Sequence, residues 1–124
     1  TTFCVLSERW EYLGGVICPG IGISAEALFQ AAAKLPRVEI AKPKNVIGRN
    51  TSTSMQAGLL YGFAGQIDGI VERIWQELGY KTKVVATGGL ANLLAPETRT
   101  IEEVDPLLTL RGLQLLYTRN ADIV

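Results

Sequence analysis

The chain has 124 residues, 48% of them hydrophobic and 19% charged, enough apolar content for one packed domain or a piece of one and too little charge for a disordered segment. Twelve basic and twelve acidic residues cancel, so no net charge recruits nucleic acid or a membrane surface. The sequence contains no histidine, which excludes Ser-His-Asp and Cys-His nucleophiles and every His-ligated metal site.

"TTFCVLS" alternates Thr2/Cys4/Leu6 against Phe3/Val5 and predicts a strand at the very start of the chain. With no initiator methionine before it, the chain is expected to be a fragment cut inside a larger fold. "ERWE" reads as a turn, and "YLGGVIC" as a second strand forming an antiparallel hairpin with the first. Gly14 and Gly15 weaken that strand unless another backbone or a ligand approaches closely. "PGIGIS" then leads to Ser24 as N-cap of a helix, "AEALFQAAAKL", that ends before Pro36. Residues 36–50, with Pro36, Pro43 and Gly48, predict a long connection, the kind that is more often functional than idle.

The longest element follows. Apolar residues at Met55, Leu59, Phe63, Ile67, Ile70, Ile74 and Leu78 step by three or four and predict an amphipathic helix over 51–78, stopped by Gly79. Gly58, Gly62, Gly65 and Gly69 line a second stripe, at about 1 kcal/mol each relative to alanine. Close packing against another helix would offset that cost, and either a neighbour in the same domain or a subunit interface would serve. The helix is too polar for a membrane GxxxG dimer. Residues 50–67 carry no charge, yet Asn50, Thr51, Ser52, Thr53, Ser54, Gln56 and Gln66 argue against a membrane span.

"YKTKVVAT" predicts a further strand, and "LANLLA" a short helix ended by Pro96. Asp105 and Pro106 then read as cap and first residue of a last helix, "LLTLRGLQLLYTRN", which makes Asp105 a cap rather than an acid catalyst. A hairpin followed by βα units predicts an α/β sheet with helices on both faces, its opening strand missing upstream of Thr1. Cys4 and Cys18 show no CxxC spacing and read as buried free thiols in a reducing, cytoplasmic setting. Trp10 and Trp75 read as packing residues, and the N-terminus lacks the basic region of a signal peptide.

Three stretches place small or hydroxyl residues beside strand ends, where open α/β sheets bind ligands: Thr1-Thr2, "GGVICPGIG" and "ATGGLA". A fourth, "GRNTSTSMQAG", puts hydroxyls at the start of the long helix, where free N–H groups and the dipole favour an anion. The plainer reading there is that Asn50 or Thr51 is the N-cap, worth about 1 kcal/mol. No Walker loop and no GxGxxG occurs.

Taken in order, "TTF", "YLGGVICPGIGISAEALF", "KLPRVEIAKPKNVIGRNTSTSMQAGLLYG", "VVATGGLA" and "VDPLLTLRGLQLLYTRN" resemble the C-terminal half of type III pantothenate kinases, of the acetate-kinase/sugar-kinase/Hsp70/actin superfamily. The resemblance implies that residues 1–124 form the C-terminal actin-like (ribonuclease H-like) domain of a two-domain kinase, with a mixed sheet. It implies phosphorylation of pantothenate by ATP, the first step toward coenzyme A, with Mg2+ and a monovalent cation (K+ or NH4+), in a cytoplasmic homodimer. Thr1 and Thr2 would end a phosphate-binding motif, and Thr87, Gly88 and Gly89 match the adenosine motif. Thr51 matches a threonine that contacts pantothenate, and the glycine stripe matches a helix of the dimer surface, which favours the subunit-interface reading. The family's first phosphate loop, catalytic aspartate and cation-binding aspartate have no counterpart here. Asp68, Asp105 and Asp122 match no catalytic position, so the chain alone is expected to be inactive and to hold no metal. A sugar kinase of the same superfamily, or a non-catalytic regulatory homologue, are the rival readings.

Overall fold

Two twin-glycine steps and one long helix set the architecture of the computed structural model, which describes residues 1–32 and 34–121. Ala33 of the expected first helix and Asp122 lie outside the described residues. The chain is α/β and divides into two units, Thr1–Gln66 and Ile67–Val124, taken separately below.

In the first unit, strands β1 (Thr2–Leu6) and β2 (Tyr12–Ile17) form the expected antiparallel hairpin. Phe3 and Val5 take the sheltered face, so Cys4 is exposed and Cys18 half-buried. The expectation of two buried thiols is therefore corrected: alternation specifies two faces but does not say which one turns inward. The ladder pairs Cys4 with Gly15 and Val5 with Gly14, then slips so that Leu6 faces Tyr12. Gly14 sits at φ 123°, closed to most side chains, and a Cβ on Gly15 would run into the Phe3 carbonyl oxygen. The two glycines thus permit a bulge and a close backbone approach. The connecting turn is braced by Ser7, whose Oγ accepts the N–H groups of Arg9 (3.2 Å) and Glu11 (3.1 Å). It carries Trp10 at φ 63° and 83% exposed, so Trp10 is a turn residue and not the packing residue expected.

Helix α1 (Ile21–Ala31) begins three residues before the expected Ser24 cap. Gly20 is the extended cap residue, its carbonyl accepts the Ser24 N–H at 3.0 Å, and the helix start has no side-chain cap, so Ser24 lies inside the first turn. Past its end, Arg37 makes a bidentate pair with Glu26 (2.6 and 2.7 Å) and lies over the Phe29 ring. The Arg37 hydrogen bonds hold the Glu26 carboxyl below its ordinary range. Residues 36–50 contain no helix or strand, as expected. Gln56 Nε2 fastens them by donating to the Glu39 carbonyl (3.1 Å), and Gly48 lies so near the next helix that a Cβ would strike the backbone of Ser54.

Helix α2 spans Thr51–Leu78, as its periodicity predicts. Within the first unit it buries Met55, Ala57, Leu59, Leu60 and Ala64, which share that unit's core with Ile21 and Ala25 of α1. A Cβ built at Gly58, Gly62 or Gly65 would meet nothing within 4 Å. Among the described residues no neighbouring helix fills the stripe at these three positions, and Gly69 lies against the Arg73 side chain (3.5 Å) of its own helix.

In the second unit, α2 buries Ile67, Asp68 and Val71. The Gly79 N–H bonds to the Trp75 carbonyl (2.9 Å), and the returning chain is held where Trp75 Nε1 donates to Thr82 Oγ1 (3.0 Å). The strand expected over residues 80–87 shortens to β3 (Val85–Ala86). Its parallel partner β4 (Glu103–Val104) was not expected as a strand, since "EEV" carries two acids and no alternation. Helix α3 (Ala91–Leu94) and a 3-10 turn (Ala95–Glu97) that includes Pro96 form the crossover between them. The strands thus form two small sheets, one antiparallel and one parallel, in place of the single mixed sheet expected. Helix α4 (Leu108–Asn120) follows Asp105, whose Oδ1 accepts the Leu107 N–H (2.9 Å) and whose Oδ2 accepts Arg111 Nη1 (2.6 Å). The expectation of Asp105 as cap and Pro106 as first helical residue is corrected: the helix starts at Leu108 with Leu107 as its cap and no side-chain cap. The Asp105 side chain instead braces the turn before it, because the bond to the Leu107 N–H closes ahead of the first helical residue.

Asp68 is 6% exposed and fully occupied. It accepts the backbone N–H of Arg99 (3.0 Å), the N–H of Thr100 (3.1 Å), the Thr100 hydroxyl (2.7 Å) and Arg99 Nε (3.4 Å). Burial pushes the carboxyl up, but the donors from Thr100 and Arg99 outweigh it and hold Asp68 below its ordinary value.

Two predictions concern stability. Asp68→Ala strands two backbone donors and a hydroxyl and should cost about 2–3 kcal/mol in urea unfolding. Because the folded carboxyl titrates below the unfolded one, the part of this contribution that depends on its ionisation is complete above the unfolded pKa and is lost as pH falls through the folded value. The gap between wild type and variant should therefore narrow in acid, and a gap independent of pH would contradict the assignment. Gly48→Ala should cost about 1–3 kcal/mol by forcing the 36–50 connection off the Ser54 backbone. An unchanged urea midpoint would show that the connection yields freely.

Candidate functional site

The first candidate region is the start of α2. Asn50 Oδ1 accepts the Thr53 N–H (2.9 Å), and Thr53 Oγ1 reaches back to the Asn50 N–H (3.3 Å), so Asn50 is the cap and Thr53 its reciprocal partner. This settles the choice between Asn50 and Thr51. Thr51 becomes the first helical residue, exposed, and among the described residues its hydroxyl makes no hydrogen bond. It opens onto a broad hollow of about 600 Å³, walled by Gly48, Arg49, Ser54 and Met55, with Leu28 and Leu35 as its apolar side. The close approach of Gly48 to Ser54 is what brings the 36–50 connection against the helix and forms that wall. The arrangement offers two hydroxyls and one cation beside an apolar surface, chemistry suited to a polar organic molecule with a hydrocarbon part.

Arg49 was not singled out from sequence. The signal was available: a cation written directly before the helix-capping Asn50.

The second region is the turn after β3. Ala86 is fixed at its end by the Asp105 N–H, which donates to the Ala86 carbonyl (2.8 Å). Thr87, Gly88 and Gly89 follow, all exposed. Gly88 adopts φ 110° and its carbonyl accepts the Ala91 N–H (3.2 Å) at the entry of α3. A Cβ on Gly88 or Gly89 would meet nothing within 4 Å, so no packing among the described residues demands glycine at Gly89. The bare backbone is open to a flat ligand.

The third region is the start of β1. The Thr1 backbone nitrogen donates to the Cys18 carbonyl and the Cys18 N–H returns to the Thr1 carbonyl, each at 2.9 Å. Thr1 and Thr2 are exposed beside the strand end that leads into Gly20 and α1. The structure therefore brings Thr1 and Thr2 to the Cys18–Gly20 stretch within the first unit. Thr51 belongs to that unit too, and Thr87–Gly89 to the second.

The acidic residues contribute no open ligand set. Asp68 and Asp105 spend their oxygens on protein donors, and among the described residues no cluster of Asp, Glu or Cys could hold a metal ion. No helix among the described residues is long and apolar enough to cross a membrane.

A family model described as type III pantothenate kinase matches residues 1–73. Curated type III pantothenate kinases of Myxococcus xanthus and Brevibacillus brevis are each 62% identical over 120 residues, covering 97% of this chain and 47% of the relative. The chain thus spans about half the length of the curated relatives it matches. Among solved structures, a conserved putative Baf family transcriptional activator from Campylobacter jejuni aligns with a TM-score of 0.67 over 98% of this chain and 54% of that one. At 21% identity that likeness concerns the fold alone. With the matched family model covering more than half of its residues, the chain belongs to the type III pantothenate kinase family.

Proposed function

We propose that this chain is the C-terminal, actin-like half of a homodimeric kinase that transfers the ATP γ-phosphoryl group to pantothenate, giving 4'-phosphopantothenate. The observation that carries the reading is 62% identity, over 97% of the chain, to two proteins named type III pantothenate kinase. Thr51 serves as the pantothenate contact, supported by its unengaged hydroxyl facing a hollow with a cation and an apolar side. Thr87, Gly88 and Gly89 form the adenosine side of the nucleotide site, supported by their exposure and by the absence of any packing need for a bare Gly89. Thr1 and Thr2 lie on the phosphate side, exposed at a strand end. The glycines of α2 face a second subunit, supported by the open space above Gly58, Gly62 and Gly65.

Phosphoryl transfer depends on positioning and on neutralising charge. The residues here hold and orient substrates; none is an unengaged buried carboxylate able to take the substrate's hydroxyl proton. The Mg2+ and the K+ or NH4+ that the reaction calls for find no fitting donor set among Asp68 and Asp105, so we assign them to residues other than those described here. The 124-residue chain alone should accordingly show no turnover.

A coupled ADP-release assay on the intact kinase tests the assignment. Thr51→Ala should raise the KM for pantothenate roughly tenfold, about 1.4 kcal/mol, with little change in the KM for ATP. Unchanged pantothenate kinetics would remove Thr51 from the site. Phosphorylation of glucose or N-acetylated sugars, with pantothenate untouched, would replace the whole reading with that of a sugar kinase.

A further inference from the structure

Asp68 is buried on the apolar side of α2, yet the proposed reaction gives it no task. Its partners lie 31 and 32 residues away, in the segment that follows the crossover helix. That segment supports the Thr87–Gly89 turn from both sides. Toward the root, Glu102 donates its N–H to the Val84 carbonyl (3.0 Å), β4 pairs with β3, and the Asp105 N–H closes on Ala86, the residue before Thr87. Toward the exit, Thr98 binds the Ala95 carbonyl through its N–H (3.1 Å) and its hydroxyl (2.8 Å), ending the turn that continues α3. Arg99 and Thr100 lie between these two supports, and Asp68 pins them to α2 through two backbone N–H groups and one buried hydroxyl.

We infer that Asp68 is a positioning residue for the nucleotide, holding the Arg99–Thr100 segment on α2 so that the β3–α3 turn presents Gly88 and Gly89 at a fixed place. The inference rests on the reading of Thr87–Gly89 as the nucleotide-side turn. It touches no substrate itself. A site built on bare glycine backbone has no side chains of its own to stiffen it, so its precision must come from the segments that flank it. The Arg99 side chain adds a clasp to Glu72 (2.9 Å), one turn further along the same helix.

The test is steady-state kinetics of the intact kinase with Asp68→Asn, Thr100→Val and Thr100→Ser. Asp68→Asn removes the charge that gathers the donors, and Thr100→Val deletes only the 2.7 Å hydroxyl bond at nearly constant volume. Each should raise the KM for ATP roughly tenfold while the KM for pantothenate stays within about twofold. Thr100→Ser, which keeps the hydroxyl, should return the KM for ATP toward the wild-type value. A purely structural role would lower kcat through a smaller active fraction and leave both KM values in place. That result, or equal rises in both, overturns the inference. Should Asp68→Asn fail to fold, Thr100→Val decides alone. Gly89→Val separates the inference from its premise. If it raises the KM for ATP and Thr100→Val does not, the positioning role fails while the turn keeps its assignment. If Gly89→Val has no effect on ATP, the turn assignment fails and the inference falls with it.

Discussion

A carboxylate taken out of water must be surrounded by donors, and Asp68 meets that demand with a segment more than thirty residues downstream. The rest of the second unit follows from this requirement. Once Arg99 and Thr100 are drawn to α2, Glu103–Val104 is placed to pair with Val85–Ala86, although a two-residue parallel pair has little stability of its own. Asp105 then closes on Ala86 through its backbone N–H, and its side chain holds the turn before the last helix by accepting from Leu107 and Arg111. The turn at Gly88 and Gly89 needs no further support and can remain bare.

The first unit solves a similar problem with backbone proximity. Gly15 lets β2 approach Phe3, and Gly48 lets the long connection lie on the first turn of α2. Asn50 takes the capping role, and among the described residues this leaves the Thr51 hydroxyl without a hydrogen bond. A helix start usually commits its hydroxyls to its own N–H groups. Here the cap is one residue earlier, so the Thr51 hydroxyl stays outside the hydrogen bonds that start the helix.

Much of this was legible in the sequence. The 28 residues of α2 and its stop at Gly79 followed from a period sustained over seven turns and one glycine. The hairpin followed from two alternating runs with a polar turn between them. The Asp-Pro step marked the approach to the last helix, though the helix starts at Leu108 and its cap is Leu107. What was not legible depended on distant partners. Alternation in "TFCVL" did not reveal that Phe3 and Val5 turn inward, leaving Cys4 exposed. Glu103–Val104 becomes a strand because β3 is beside it, not because of its own composition. The Asp68 cluster spans about thirty residues, and its one local trace is an acid next to Ile67 on a side of α2 that is otherwise apolar. The choice of Asn50 over Thr51 required a distance, 2.9 Å, that no spacing rule supplies.

The account assigns two ligands to two separate stretches of backbone, one at the start of α2 and one after β3. Hydrogen–deuterium exchange on the intact kinase, with pantothenate alone and with a non-hydrolysable ATP analogue alone, reads both stretches in one experiment. Pantothenate should slow exchange across residues 48–54 and leave 87–91 unchanged, whereas the nucleotide analogue should slow 87–91 and leave 48–54 unchanged. Nucleotide protection at 48–54 with none at 87–91 would contradict the division of labour on which the account stands.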